Sequence, residues 1–149
     1  MQPSHSKFVN FLKALLQGER LYLADVGATG GPETRWQQWE SLCFFYTFDP
    51  DPRSQLGSCA SKNYPLGLWS GKDKKTLYLA EHPPASSLFK PNQEVLNSFA
   101  ASKALQQQSS SWIELDSLDH VLDGQSLDFI KIDAEGAELE ILKGAQQSL

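Results

Sequence analysis

The chain has 149 residues, of which 40% are hydrophobic and 21% charged, with a formal net charge of −5. That is enough chain for one domain with a real core, and too ordinary a composition for wholesale disorder. The negative balance argues against a nucleic-acid backbone as the main partner, because the one basic cluster, "GKDKK" at Gly71–Lys75, reads as a solvated turn.

Two cysteines, Cys43 and Cys59, make no disulfide framework, and with His5, His82 and His120 scattered no zinc spacing is present. Cys43 opens an apolar run, where a thiol serves as a small hydrophobe. A reduced, cytoplasmic protein is the expectation. "SKFVNFLKALLQG" sets Phe8, Phe11, Leu12, Leu15 and Leu16 on one helical face, with Gly18 as its stop. This predicts an amphipathic helix over residues 1–18 packed on a domain spanning 19–149. No stretch has the length of a membrane span.

After Gly18 the period changes. "RLYLADVGA" (Arg20–Ala28) is a nearly continuous apolar run ending in glycine, as in a strand buried on both faces. "PETRWQQWESL" (Pro32–Leu42) starts on proline and spaces Trp36 and Trp39 as a helix would, with both rings read as core. "CFFYTFDPDP" (Cys43–Pro52) is a second strand halted by prolines. Strand, helix, strand makes a βαβ unit and implies a parallel sheet. Further on, "YPLGLWS" reads as a third strand and "KTLYLAEH" as half of a local hairpin. "PPASSLFKPN" is loop, and "QEVLNSFAASKALQQQSSS" is a polar segment holding a helix. "SWIELDSLDHVL" is a strand running into a helical turn, in which Asp119 caps or ion-pairs. "LDFIKID" and "EGAELEILKGAQQSL" close the chain as strand and helix, with Leu139, Leu142 and Ala145 as the buried stripe. Glu138 and Glu140 favour the dipole at the start of that helix, and Lys143 complements them near its end. The fold class is α/β.

The chemistry gathers at two places. In "LADVGATGG", glycines let the backbone approach a ligand after an acid, Asp25. A dinucleotide is one user of such a loop, but G-x-G-x-x-G is absent, and no tyrosine has the lysine four residues on that a short-chain dehydrogenase needs. S-adenosylmethionine is the other user. It is cationic, which suits Asp25, and its two ribose hydroxyls suit a second acid, Asp49, lying 24 residues further on at the end of the next strand. Against this, Asp25 could cap the helix and Asp49 open a turn. The second place is "DFIKIDAEGAELEILKGA" (Asp128–Ala145), where a lysine sits mid-strand and carboxylates crowd the exit. Lys131 needs a carboxylate in a central strand, and Asp133, Glu135 or Asp25 are its expected partners.

With both stretches together the sequence resembles the FkbM family of methyltransferases. The family pattern runs D-V-G-A-N-x-G, F-E-P, a serine-leucine loop, T-L-D and D-x-x-K-x-D-x-E-G-x-E. Here it reads "DVGATGG", "FDP", "SSL", "SLD" and "DFIKIDAEGAE", in that order, over Leu21–Ala145. Thr29 stands where asparagine is usual and Asp49 where glutamate is usual, and both keep hydrogen-bonding character.

The resemblance implies a Rossmann-like, doubly wound, mostly parallel sheet with the last strand beside the first, and a site at the carboxyl ends of the strands. It implies S-adenosylmethionine held by Asp25, Gly27, Ala28, Thr29, Gly31 and Asp49. Asp133, Glu135 and Lys131 would lie at the methyl group, for O-methylation of a hydroxyl on a sugar or natural-product-like small molecule. Asp133 would serve as general base, or Asp133 and Glu135 would hold Mg²⁺, with the metal-free route favoured. A chain ending at Leu149 lacks the further strands of such a sheet, so the expectation is a domain truncated at its C-terminus, able to self-associate through an open edge. A non-catalytic nucleotide-binding or interaction module, or an inactive fragment, is the alternative.

Overall fold

The computed structural model describes residues 3–32, 36, 39–54, 61–100 and 102–149. Helix α1 (Pro3–Leu16) precedes strands β1 (Leu21–Val26) and β2 (Cys43–Phe48), followed by β3 (Ser61–Tyr64), β4 (Gly67–Leu68) and β5 (Asp73–Ala80). A short helix α2 (Gln93–Leu96) leads to β6 (Gln107–Asp116), α3 (Leu118–Leu122), β7 (Phe129–Ile132) and α4 (Glu138–Lys143). Of the helix expected over Pro32–Leu42, residues 33–35, 37 and 38 lie outside the described residues, as does Cys59, while Trp36 is helical and residues 39–42 form turns.

Two sheets form. The first is entirely parallel in the order β3-β2-β1-β7, and the second has the order β4-β6-β5. Because β1 and β2 are apolar at every other position on both sides, each face of the parallel sheet needs cover. Leu23, Leu42, Cys43 and Phe45 form one core under α1, Trp36 and Trp39. Ala24, Val26, Tyr46 and Phe48 form the other with Leu118, Leu122, Ala137, Ile141 and Ala145. This layered arrangement, helices on both faces of a parallel sheet, is the expected Rossmann-like fold with its N-terminal helix. Trp36 packs on Phe129 with centroids 5.2 Å apart, and Phe8 meets Trp39 edge-on at 6.0 Å.

Several local expectations need correction. In α1 the stripe that packs on the core is Val9, Leu12 and Leu16, while Phe11 and Leu15 are exposed. The 8/11/15 and 9/12/16 stripes are adjacent on a helix, and only one can centre on the sheet. In α4 the buried stripe is Ala137, Ile141 and Ala145, whereas Leu139 and Leu142 face outward. Small residues win that face because the helix packs close: a Cβ on Gly144 would lie 2.2 Å from the Trp69 carbonyl oxygen.

The third parallel strand is "SKNY" rather than "YPLGLWS", whose Gly67–Leu68 belongs to the second sheet. "KTLYLAEH" makes no local hairpin beyond a single Tyr78–Ser87 bridge, since Pro83 and Pro84 remove ladder donors. Instead β5 runs antiparallel to β6 from Asp73–Leu115 to Ala80–Gln107. The expected helix in the polar tract is α2, and only the tract's Gln/Ser-rich end, from Gln107, is taken up by β6. Cys43 is buried, and burial followed by the nearby Asp128 carboxylate pushes its thiol up. No helix among the described residues is long and apolar enough to cross a membrane.

Candidate functional site

The carboxyl ends of β1, β2 and β7 meet at the glycine loop. Gly27 has φ +76°, its N–H donates to the Phe48 carbonyl at 2.9 Å, and a Cβ there would sit 1.9 Å from the Asp133 carbonyl oxygen. The glycine is thus required by backbone crossing backbone, with Asp133 N–H donating in turn to the Val26 carbonyl at 3.0 Å. Ala28 is buried and donates to the Phe48 carbonyl, and Gly31 N–H closes the turn on the Ala28 carbonyl at 2.8 Å.

Asp49 follows β2 and is buried. One of its oxygens accepts from the Thr29 hydroxyl at 2.6 Å and the Ser54 hydroxyl at 2.9 Å, and the other accepts from Asp51 N–H at 2.9 Å. A carboxylate offers about four lone-pair positions. With three occupied, roughly one stays open to a ligand hydroxyl, and a grip on two hydroxyls requires Thr29 or Ser54 to rotate away. Thr29, standing where the resembled pattern has asparagine, thus meets the shorter acid at position 49 through its hydroxyl.

On β7, Lys131 stands in register with Asp25 of β1. Its Nζ lies 3.1 Å from Asp25 Oδ1 and 3.8 Å from Asp133 Oδ2, and donates to the Val26 carbonyl at 3.5 Å. Asp25 is only 2% exposed. A buried carboxylate needs such a cation, and the attraction mainly offsets desolvation rather than adding stability. Asp133, by contrast, has a side chain 68% exposed. Glu135 adopts φ +50°, a conformation uncommon outside glycine, and its carbonyl accepts from the Ser87 hydroxyl at 2.8 Å. Burial, then the Asp133 and Glu138 carboxylates, push the Glu135 carboxyl above its usual range. Glu138 reaches back to accept from Ala134 N–H and Gly136 N–H, both at 3.1 Å, tying down the loop that precedes its helix. Burial alone would raise it, but those backbone donors together hold it below the usual range.

Gly27, Thr29, Asp49 and Asp133 line one cleft, joined by Asp51, Ser86, Ser87 and apolar Leu66, Leu68, Leu77 and Leu88. Asp25, Ala28, Gly31, Lys131 and Glu135 do not line it; Asp25 and Lys131 act on it through Asp133. Asp119 turns out to anchor the chain end, accepting from Gln147 N–H and Ser148 N–H. Ser86 and Ser87 belong to the "SSL" stretch of the resemblance, whereas nothing in the sequence marks Asp51 and Arg53. "DPDPR" reads locally as a turn, and its partners come from distant strands.

Asp51 is buried and accepts from Arg53 at both oxygens. Burial is the largest influence and raises its pKa, but hydrogen bonds from Arg53 and Ser86 with the Arg53 charge outweigh it and leave the carboxyl lowered. A carboxyl lowered in the fold contributes stability that is present above its unfolded value of about 4 and lost as pH falls through its folded value. Glu138 acts in the same sense, and Glu135, being raised, in the opposite one. Urea denaturation at neutral pH and at about pH 3 is expected to show a smaller acid loss for Asp51→Asn than for the wild type. An unchanged acid slope would contradict the ion pair.

Together these features define a Rossmann-like protein with a cleft at the strand ends of a parallel sheet, floored by a glycine turn and two acids. The Methyltransferase FkbM domain model matches residues 25–149, and the chain belongs to that family of methyltransferases. No curated protein and no solved structure matches it. Among the described residues, no group of three or more His, Cys, Asp or Glu could hold a metal ion.

Proposed function

We propose that the chain is an S-adenosylmethionine-dependent O-methyltransferase acting in the cytoplasm on a hydroxyl of a sugar or natural-product-like small molecule. The observation that carries this reading is the sharing of one cleft by Asp49, with acceptor capacity to spare, and the exposed Asp133, on either side of the Gly27 turn. Asp49 would take the ribose hydroxyls, and the Gly27–Gly31 turn leaves the backbone accessible; a Cβ on Gly30 would meet nothing within 4 Å. Bound there, the cofactor supplies an electrophilic methyl group. Asp133 accepts the proton of the acceptor hydroxyl at its carboxylate, and Lys131 fixes that carboxylate from 3.8 Å. Lys131 is itself held by Asp25, which sets the charge balance beneath the loop.

Incubation with S-adenosylmethionine labelled in its methyl group, against a panel of neutral glycosides and phenols, tests this. Label is expected on the acceptor oxygen, with a loss of about 10²–10⁴-fold for Asp133→Asn at unchanged cofactor affinity. Cofactor binding with no transfer to any acceptor would instead favour the non-catalytic module.

A further inference from the structure

We propose that Arg53 is a positioning residue of the methyl-donor site, setting the Asp49 carboxylate through Asp51. The inference rests on the reading of Asp49 as the ribose-binding acid. Arg53 Nε donates to Asp51 Oδ1 at 2.9 Å and Nη2 to Asp51 Oδ2 at 2.6 Å, a two-pronged pair that fixes both oxygens. The Arg53 backbone N–H adds a third bond to Asp51 Oδ1 at 2.9 Å. Beyond Asp51 the same guanidinium reaches the Ala80 carbonyl at 2.8 Å and the Ser86 hydroxyl at 3.1 Å, while Ser86 donates to Asp51 Oδ2 at 2.8 Å.

Asp51 and Ser86 both line the cleft, one following β2 of the parallel sheet and the other following β5 of the second sheet. One side chain therefore ties the two walls together. The consequence for Asp49 is direct: Asp51 N–H is the donor on Asp49 Oδ1, so the orientation of the Asp51 peptide decides which Asp49 lone pair faces the ligand. Surface ion pairs contribute little on their own, but here the acid is buried and the arginine 37% exposed, so the pair acts as a hinge pin rather than a decoration. Lysine cannot replace it, since an ammonium has no planar fork to hold both Asp51 oxygens and the Ala80 carbonyl at once.

Calorimetric titration of the whole chain with S-adenosylhomocysteine and with 2′,3′-dideoxyadenosine, which lacks both ribose hydroxyls, tests this against Arg53→Lys. The lysine keeps a positive charge opposite buried Asp51, so the melting temperature is expected to fall by only a few degrees. Affinity for S-adenosylhomocysteine is expected to fall about tenfold, with dideoxyadenosine affinity unchanged. Equal S-adenosylhomocysteine affinity in Arg53→Lys and wild type would overturn the inference while leaving the methyl-donor reading intact. Equal losses for both ligands would overturn it too, as general damage to the cleft. A wild-type chain that binds neither ligand would overturn the methyl-donor reading and the inference with it. Should Arg53→Lys not fold, Arg53→Met combined with Asp51→Asn, which removes both charges of the pair, carries the same comparison.

Discussion

Gly27→Ala is expected to destabilise the chain by about 2–5 kcal/mol and to abolish ligand binding. Two costs add. A non-glycine residue at φ +76° pays about 1–2 kcal/mol for its left-handed backbone. Forcing a methyl into a packed site adds about 1–3 kcal/mol, and here the obstacle is the Asp133 carbonyl at 1.9 Å, which is backbone and cannot rotate aside. To fit, β1 and β7 must separate at the point where Asp133 N–H bonds the Val26 carbonyl. Total stabilities of single domains are about 5–15 kcal/mol, so this loss is a large share. Gly30→Ala is the control: its φ is +85°, but its Cβ would meet nothing within 4 Å, so only the backbone cost of about 1–2 kcal/mol applies. Chemical denaturation of both variants measures the difference. Equal losses would mean that the contact between the two strand ends is absent.

Asp49→Ala is expected to lower affinity for S-adenosylhomocysteine by about a hundredfold or more. Hydrogen bonds to a charged acceptor contribute about 1.5–3 kcal/mol each, and the ribose offers two hydroxyls. The same change strips Thr29, Ser54 and the Asp51 amide of their acceptor, which costs about 1–3 kcal/mol for the buried amide alone. Affinity and melting temperature must therefore be read together. A variant that melts normally yet binds as tightly as wild type would remove Asp49 from the site.

Much of this architecture is legible in the chain. β1 and β2 announce themselves as short apolar runs ended by Asp25 and Gly27 and by Asp49 and Pro50, because strands covered on both faces have no polar side to hide, and β7 is marked by the apolar residues around Lys131 before Asp133. The acids of the site are legible for the same reason: they stand where the apolar run stops. β3 is not, since "SKNY" has no hydrophobic signature and is a strand through its pairing with β2 and the stacking of Tyr64 on Phe48 at 4.8 Å. The pairing of β5 with β6 crosses a long intervening segment, and no local rule encodes it. The Asp51–Arg53–Ser86 network escapes for a related reason. Within "DPDPR" the arginine looks like turn solvation, and only the fold brings Ala80 and Ser86 to its guanidinium. The packed face of a helix is harder to read where neighbouring stripes are both apolar: in α1 Leu12 and Leu16 pack as expected, but Val9 joins them and Phe11 and Leu15 do not.

Calorimetric titration of the purified wild-type chain with S-adenosylhomocysteine tests the central reading most directly. One saturable site, with stoichiometry near one per chain, is the expected result. A folded chain that takes up no S-adenosylhomocysteine would contradict the assignment of this cleft to a methyl donor.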